Sequence, residues 1–170
     1  DPQRAQAMLD HIIAYLRSTL SASRASCHPL RDEFARLDDY LALMAIRMGA
    51  RLRYRLDLPA ELADQPVPAL ILQPLVENSI QHGLEPKVDG GELVVCARSQ
   101  AGLLVLDVVD TGLGFNPEQV FASPTPTDRG FGVQQIRARL ATLYGDLGTI
   151  EFIASEAEGT RATIHIPLQA

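Results

Sequence analysis

Residues 72–83, Leu-Gln-Pro-Leu-Val-Glu-Asn-Ser-Ile-Gln-His-Gly, constrain the fold more than any other stretch of this 170-residue chain. Leu72, Leu75, Val76, Ser79 and Ile80 recur at helical spacing, so a helix here buries one face. Its polar side then carries Gln73, Glu77 and Gln81 one turn apart, with Asn78 and His82 as a neighbouring pair. A neutral amide beside a carboxylate suits hydrated Mg²⁺, which takes oxygen ligands, keeps several waters and shares the rest with phosphates. An ordinary surface helix would show the same residues, and only two glycine signals further along shift the balance.

At 46% hydrophobic residues the chain can bury one good core, or a compact domain plus a helical appendage. A net charge of −6 argues against a nucleic-acid partner, whose footprint is a basic face. An anionic nucleotide is still admissible, because backbone N–H groups and a metal can neutralise phosphates. Cys27 and Cys96 match no zinc spacing and read as free thiols of a reducing compartment. No apolar run reaches the roughly 20 residues of a membrane span, and no signal peptide is present. The start at Asp1-Pro2, without Met, suggests a piece of a larger protein.

Asp1 and Pro2 read as the cap and first position of a helix carrying Ala5, Met8, Leu9, Ile12, Ile13, Leu16 and Leu20. Residues 21–27 read as a turn. A second helix spans residues 30–48, with Phe34, Leu37, Tyr40, Leu41, Met44 and Ile46 apolar and Gly49 as its stop. Such a hairpin packs on the following domain or pairs with a second copy as a four-helix bundle, and the wide first stripe favours the dimer. Leu52, Tyr54, Leu56 and Leu58 then alternate with charged residues, a strand stopped by Pro59. Pro68 suits the first turn of the next helix, whereas Pro74 implies a kink or a late start. Strands follow at 92–98 and 103–109, joined as a hairpin, then a loop over 115–128. A helix over 132–144 has Val133, Ile136, Leu140 and Leu143 inward, and strands at 149–154 and 161–166 close the chain. This order predicts an α+β fold: a two-layer sandwich of helices on a mostly antiparallel sheet, preceded by an α-helical hairpin.

The first glycine signal is Asp110-Thr111-Gly112-Leu113-Gly114, at the end of an apolar strand. A carboxylate emerging there needs a donor, and an exocyclic amine such as that of adenine would supply one. The second, Gly130-Phe131-Gly132, opens a helix after the loop and leaves backbone N–H groups for phosphates. Taken singly, each motif could equally serve only to bend the backbone.

Together and in this order, the Asn78 helix, Asp110-x-Gly112-x-Gly114 and Gly130-x-Gly132 resemble the N box and two glycine boxes of the ATP-binding fold shared by gyrase, a heat-shock chaperone and histidine kinases. Glu158-Gly159-Thr160, before a strand ending Ile166-Pro167, is similar to that fold too. Leu72-Gln73-Pro74-Leu75-Val76-Glu77-Asn78 and Arg137-Ala138-Arg139-Leu140 resemble sensor histidine kinases of the LytS or YehU type. The resemblance implies a partial dimerisation helical hairpin over 1–48 and a catalytic ATP-binding domain over 49–170. It implies that Asn78 coordinates Mg²⁺ on ATP, Asp110 binds the adenine amine, and Gly112 and Gly114 shape the base pocket. Gly130 and Gly132 would hinge an ATP lid and meet the phosphates, and Thr160 would lie near the adenine. Gly83, Phe115, Phe131 and Val133 complete the nucleotide contacts; Glu77 and His82 line the phosphate side, with Glu77 the one candidate for a catalytic role.

The same resemblance implies a homodimer through the N-terminal helices, a response regulator as partner, and a cytoplasmic portion of a membrane-bound sensor that itself touches no membrane. Pro74, Gln81, Val133 and Gln135 depart from the family pattern, which implies altered nucleotide affinity. The family's phosphoacceptor sits in a sequence like Pro-His-Phe-Leu-Phe-Asn, which none of His11, His28, His82 and His165 matches. The expectation is an acceptor just upstream of Asp1. The rival reading is a degenerate nucleotide-binding and dimerisation module that only engages a response regulator; an ATPase of the gyrase or chaperone type fits the two-helix entry less well.

Overall fold

The computed structural model describes residues 1–22, 27–115, 128–155 and 158–170. Helix α1 (Pro2–Ala22) opens as expected, with the Asp1 carboxylate accepting from the Gln3 N–H at 3.0 Å. The expected turn falls mostly on residues 23–26, outside the described set. Strand β1 (Cys27–Pro29) leads into α2 (Leu30–Met48), which ends at Gly49 with φ 62, the N–H of that glycine bonding Ala45 O.

Strand β2 (Leu52–Asp57) keeps the expected alternation, with Leu52 buried and Arg53, Arg55 and Asp57 exposed. Strand β3 (Pro66–Pro68) pairs antiparallel with β1, so Pro68 closes a short ribbon and does not open a helix. Helix α3 (Gln73–Asn78) starts late, with Pro74 in its first turn, where a missing N–H leaves no bond unmade. It runs on as a π-helix over Ser79–Leu84. Periodicity gave no sign of that change, because a π-turn inserts a residue without altering the apolar composition.

Strands β4 (Gly91–Gln100) and β5 (Leu103–Asp110) form the expected hairpin. Helix α4 (Asp128–Tyr144) starts earlier than expected, so Gly130 and Phe131 lie in its first turns instead of ahead of it, with Gly132 following them. Glycine costs a helix only about 1 kcal/mol relative to alanine, which neighbouring turns can offset. Residues 116–127 of the expected loop lie outside the described residues. Strands β6 (Thr149–Ser155) and β7 (Gly159–Pro167) close the chain.

The five-stranded sheet has the order β2-β4-β5-β7-β6, parallel only between β2 and β4. Helices cover one face, and the α+β expectation is met. The core joins Leu72, which caps α3, and Val76, Ile80 and Leu84 of α3 and its π extension to Leu93 and Val95 of β4, Leu104 and Leu106 of β5, and Ile164 of β7. On α4, Val133, Ile136 and Leu140 point inward as expected. Leu143 does not: it is 46% exposed, and Tyr144 packs on the core in its place.

The two helices of the hairpin part company. On α2, Leu30, Phe34, Leu37, Leu41 and Met44 enter the same core as the sheet, so packing continues across residues 48 and 49. On α1, Met8, Ile12 and Tyr15 lean on the core while Leu9, Ile13, Leu16 and Leu20 stay exposed. The wide stripe thus has one side against its own chain and one side open.

Candidate functional site

The end of β5 delivers Asp110 into the helix-covered face of the sheet, where it is 2% exposed. Cross-strand register sets Thr160 opposite it on β7, with Ala154 opposite Thr160 on β6. One carboxylate oxygen accepts the Gly112 N–H at 2.9 Å and the other accepts the Thr160 hydroxyl. Among the described residues no Lys, Arg or His forms an ion pair with Asp110. The negative charge is therefore fixed in direction by neutral donors, an arrangement that keeps its remaining lone pairs available to a donor in the cleft.

Two glycines let the loop after Asp110 dock on the π-helix. A Cβ on Gly112 would overlap the backbone of Gly83, and the Leu113 N–H bonds Gly83 O at 2.9 Å. A Cβ on Gly83 would in turn stand 3.1 Å from Asp110 Oδ1. Gly112 therefore requires hydrogen as its side chain, and Gly83 leaves little room for more.

These elements line a narrow cleft. Its floor is Val108 and Asp110 of β5, Thr160 and Ala162 of β7 and Phe152 of β6; its walls are Leu75, Asn78, Ser79, Gly83, Gly114, Phe115 and Val133. Phe115 meets Phe152 edge to face with ring centroids 6.3 Å apart, closing one side with aromatic surface. At Asn78, a side chain at Gly132 would begin 3.9 Å from the amide nitrogen, so α4 approaches α3 closely there. The cleft thus has an apolar base with one buried carboxylate and an amide-bearing mouth at a helix start.

Seven of the sequence candidates share this cleft: Asn78, Gly83, Asp110, Gly114, Phe115, Val133 and Thr160. Gly112 supports it from behind, Gly132 flanks Asn78, and Gly130 and Phe131 contribute backbone to the first turns of α4. Glu77 and His82 are not in its wall. Glu77 faces α1 instead, where its Oε1 accepts the Tyr15 hydroxyl at 2.7 Å and the Gln73 amide at 3.1 Å. Burial first, and then the nearby Glu77 charge, push the adjacent Tyr40 phenol well above its ordinary range. Sequence reasoning missed Leu75, Ser79, Val108, Phe152 and Ala162 as cleft residues. The signal for Val108 was available, since it lies two residues before Asp110 and so shares its face of the strand.

Residues 63–170 match the family described as histidine kinase-, DNA gyrase B- and HSP90-like ATPase. The chain belongs to that family. Residues 1–52 match a second family, described as histidine kinase. The sensor protein LytS of Bacillus subtilis is 27% identical over 99% of this chain, and the sensor histidine kinase BtsS of Escherichia coli is 28% identical over 98%. The chain spans only 29% and 28% of those relatives. Among solved structures, the histidine kinase domain of the Erythrobacter litoralis blue-light-activated kinase superposes with a TM-score of 0.63 at 18% identity, covering 97% of this chain and 75% of that one. Acinetobacter baumannii AdeS gives 0.60 at 20% identity, over 95% and 79%. At such identities the likeness to these structures bears on the fold alone.

Proposed function

We propose that this ATPase-type domain positions Mg·ATP for in-line transfer of the γ-phosphoryl group to a histidine, from which it passes to a response regulator. The observation that carries the reading is Asp110, a buried carboxylate oriented by Gly112 and Thr160 at the floor of a cleft whose far end holds Asn78. Asp110 accepts the adenine amine, the Phe115 and Phe152 side encloses the base, and the first turns of α4 meet the phosphates through backbone N–H groups. Among the described residues no cluster of three or more His, Cys, Asp or Glu side chains could hold a metal. Mg²⁺ would be held by the Asn78 amide oxygen together with the phosphates and water, and would neutralise charge on the triphosphate.

The acceptor is a histidine other than the four in this chain. His28 lies 2.6 Å from Glu33, His165 sits on β7 within 3.3 Å of Thr149, and His82 belongs to the π-helix. His11 is on α1, in surroundings unlike the family's acceptor motif. Residues 1–48 act as the dimerisation hairpin through Leu9, Ile13, Leu16 and Leu20, and residues 49–170 as the catalytic part. No helix among the described residues is long and apolar enough to cross a membrane, and the reading places this portion in the cytoplasm beneath a membrane-bound sensor.

Calorimetric titration with a non-hydrolysable Mg·ATP analogue tests the cleft, and γ-labelled ATP tests the transfer. Saturable binding without label on this chain is expected; label on this chain alone contradicts the acceptor assignment. A folded protein that binds no nucleotide would favour a regulatory module, to which the engagement of Glu77 by α1 lends support. Ile13→Glu should convert the dimer to monomer in sedimentation and leave nucleotide binding unchanged.

A further inference from the structure

The Arg137-Ala138-Arg139-Leu140 segment has no part in the cleft, yet Arg139 is half-buried and its Nη1 donates to Ala69 O at 2.6 Å. Ala69 belongs to turn 69–72, which delivers the chain into α3 and contains Leu70 at φ 60, a left-handed conformation unfavourable for leucine. From the opposite side, the Glu33 carboxylate of α2 takes the Leu70 N–H at 3.2 Å and the Leu72 N–H at 2.9 Å. Glu33 is 1% exposed and is itself held by Arg36 Nη2 at 3.3 Å and His28 Nε2 at 2.6 Å. Ala69, Ile71 and Leu72 are buried, so water cannot replace these bonds.

We propose that turn 69–72 is a two-sided clamp in which Glu33 from α2 and Arg139 from α4 jointly set the entry of the Asn78 helix. The helical hairpin and the nucleotide cleft thereby bias one another. Both ends of the link are in place: Val133 lines the cleft about 9 Å up α4 from Arg139, and Asn78 lies two turns beyond the clamped turn. A left-handed leucine persists only where surrounding bonds determine it, so loosening either side releases the turn as a whole. The bias is reciprocal by thermodynamic linkage, and Arg139 and Glu33 are positioning residues for Asn78. The link to the cleft rests on the nucleotide reading above, whereas the clamp does not.

Amide hydrogen exchange on the whole chain, without nucleotide, decides the clamp. Arg139→Met should speed exchange at Leu70 and Leu72, whose N–H groups are bonded by Glu33 and not by Arg139, by about tenfold, while amides of β5 stay unchanged. Arg139→Lys, which keeps a donor, should restore most of the protection. Unchanged exchange at those two amides, or equal acceleration in β5, overturns the proposal. With the Mg·ATP analogue bound, the same amides should slow about threefold in the parent and not in Arg139→Met; bound nucleotide with no slowing in the parent overturns it as well. Failure of the analogue to bind would count against the nucleotide reading, and the nucleotide-free exchange would still judge the clamp.

Discussion

The two ends of the cleft are built from different material. At the floor, Asp110 and Thr160 come from the paired strands β5 and β7, where every backbone neighbour is fixed by a ladder and the carboxylate is held by two donors. At the mouth, Asn78 rides a helix that turns from α to π just after it and enters through a left-handed leucine. Recognition of a flat base benefits from the first kind of support, since a rigid acceptor loses no entropy on binding. Handling a triphosphate that must be delivered to a second group benefits from the second, since helix posture can shift without breaking the sheet.

Changes at the two ends should therefore separate into distinct phenotypes. Asp110→Asn replaces a charge-assisted acceptor with a mixed amide, and nucleotide affinity should drop roughly 10- to 100-fold in calorimetry with the melting temperature little altered. An ADP-induced melting shift equal in variant and parent would remove Asp110 from the base pocket. Gly112→Ala forces a methyl into the Gly83 backbone and should cost about 1–3 kcal/mol of stability in denaturant unfolding; a neutral result would mean the two loops can part.

At the mouth, Asn78→Ala should lower Mg·ATP affinity about tenfold but leave metal-free ADP nearly unaffected. Equal losses for both ligands would erase the distinction between the ends. The smallest effect concerns α2. Because burial and then Glu77 raise the Tyr40 phenol above its ordinary 10.0, the unfolded chain gives up that proton first. Its contribution to stability is complete below about pH 10 and is lost as pH rises further. Tyr40→Phe should flatten that alkaline fall in melting curves taken from pH 9 upward.

The contrast also explains what the sequence could reveal. Alternation marked β2, because a half-buried strand writes its two faces directly into the residue order, and glycine-bearing turns bounded β4 and β5 to within a few residues. The buried face of α3 was equally legible: Leu72, Leu75, Val76, Ser79 and Ile80 are all buried. Less legible was everything that depends on chain segments meeting. Nothing local reveals that Glu77 turns toward Tyr15, 62 residues away, or that Glu33 lies buried on an amphipathic helix as a charge satisfied by distant backbone N–H groups, with Arg36 held beside it. Pro68 misled for a related reason, since its partner strand lies at Cys27–Pro29 and leaves no periodic trace.

The shared burial of α2 has a practical corollary for anyone trimming this protein. A chain begun at residue 49 would strip Leu30, Phe34, Leu37 and Leu41 from the underside of the domain and leave Leu72 and Val76 facing solvent. The functional seam and the folding seam therefore fall at different places. The smallest autonomous unit begins ahead of Leu30.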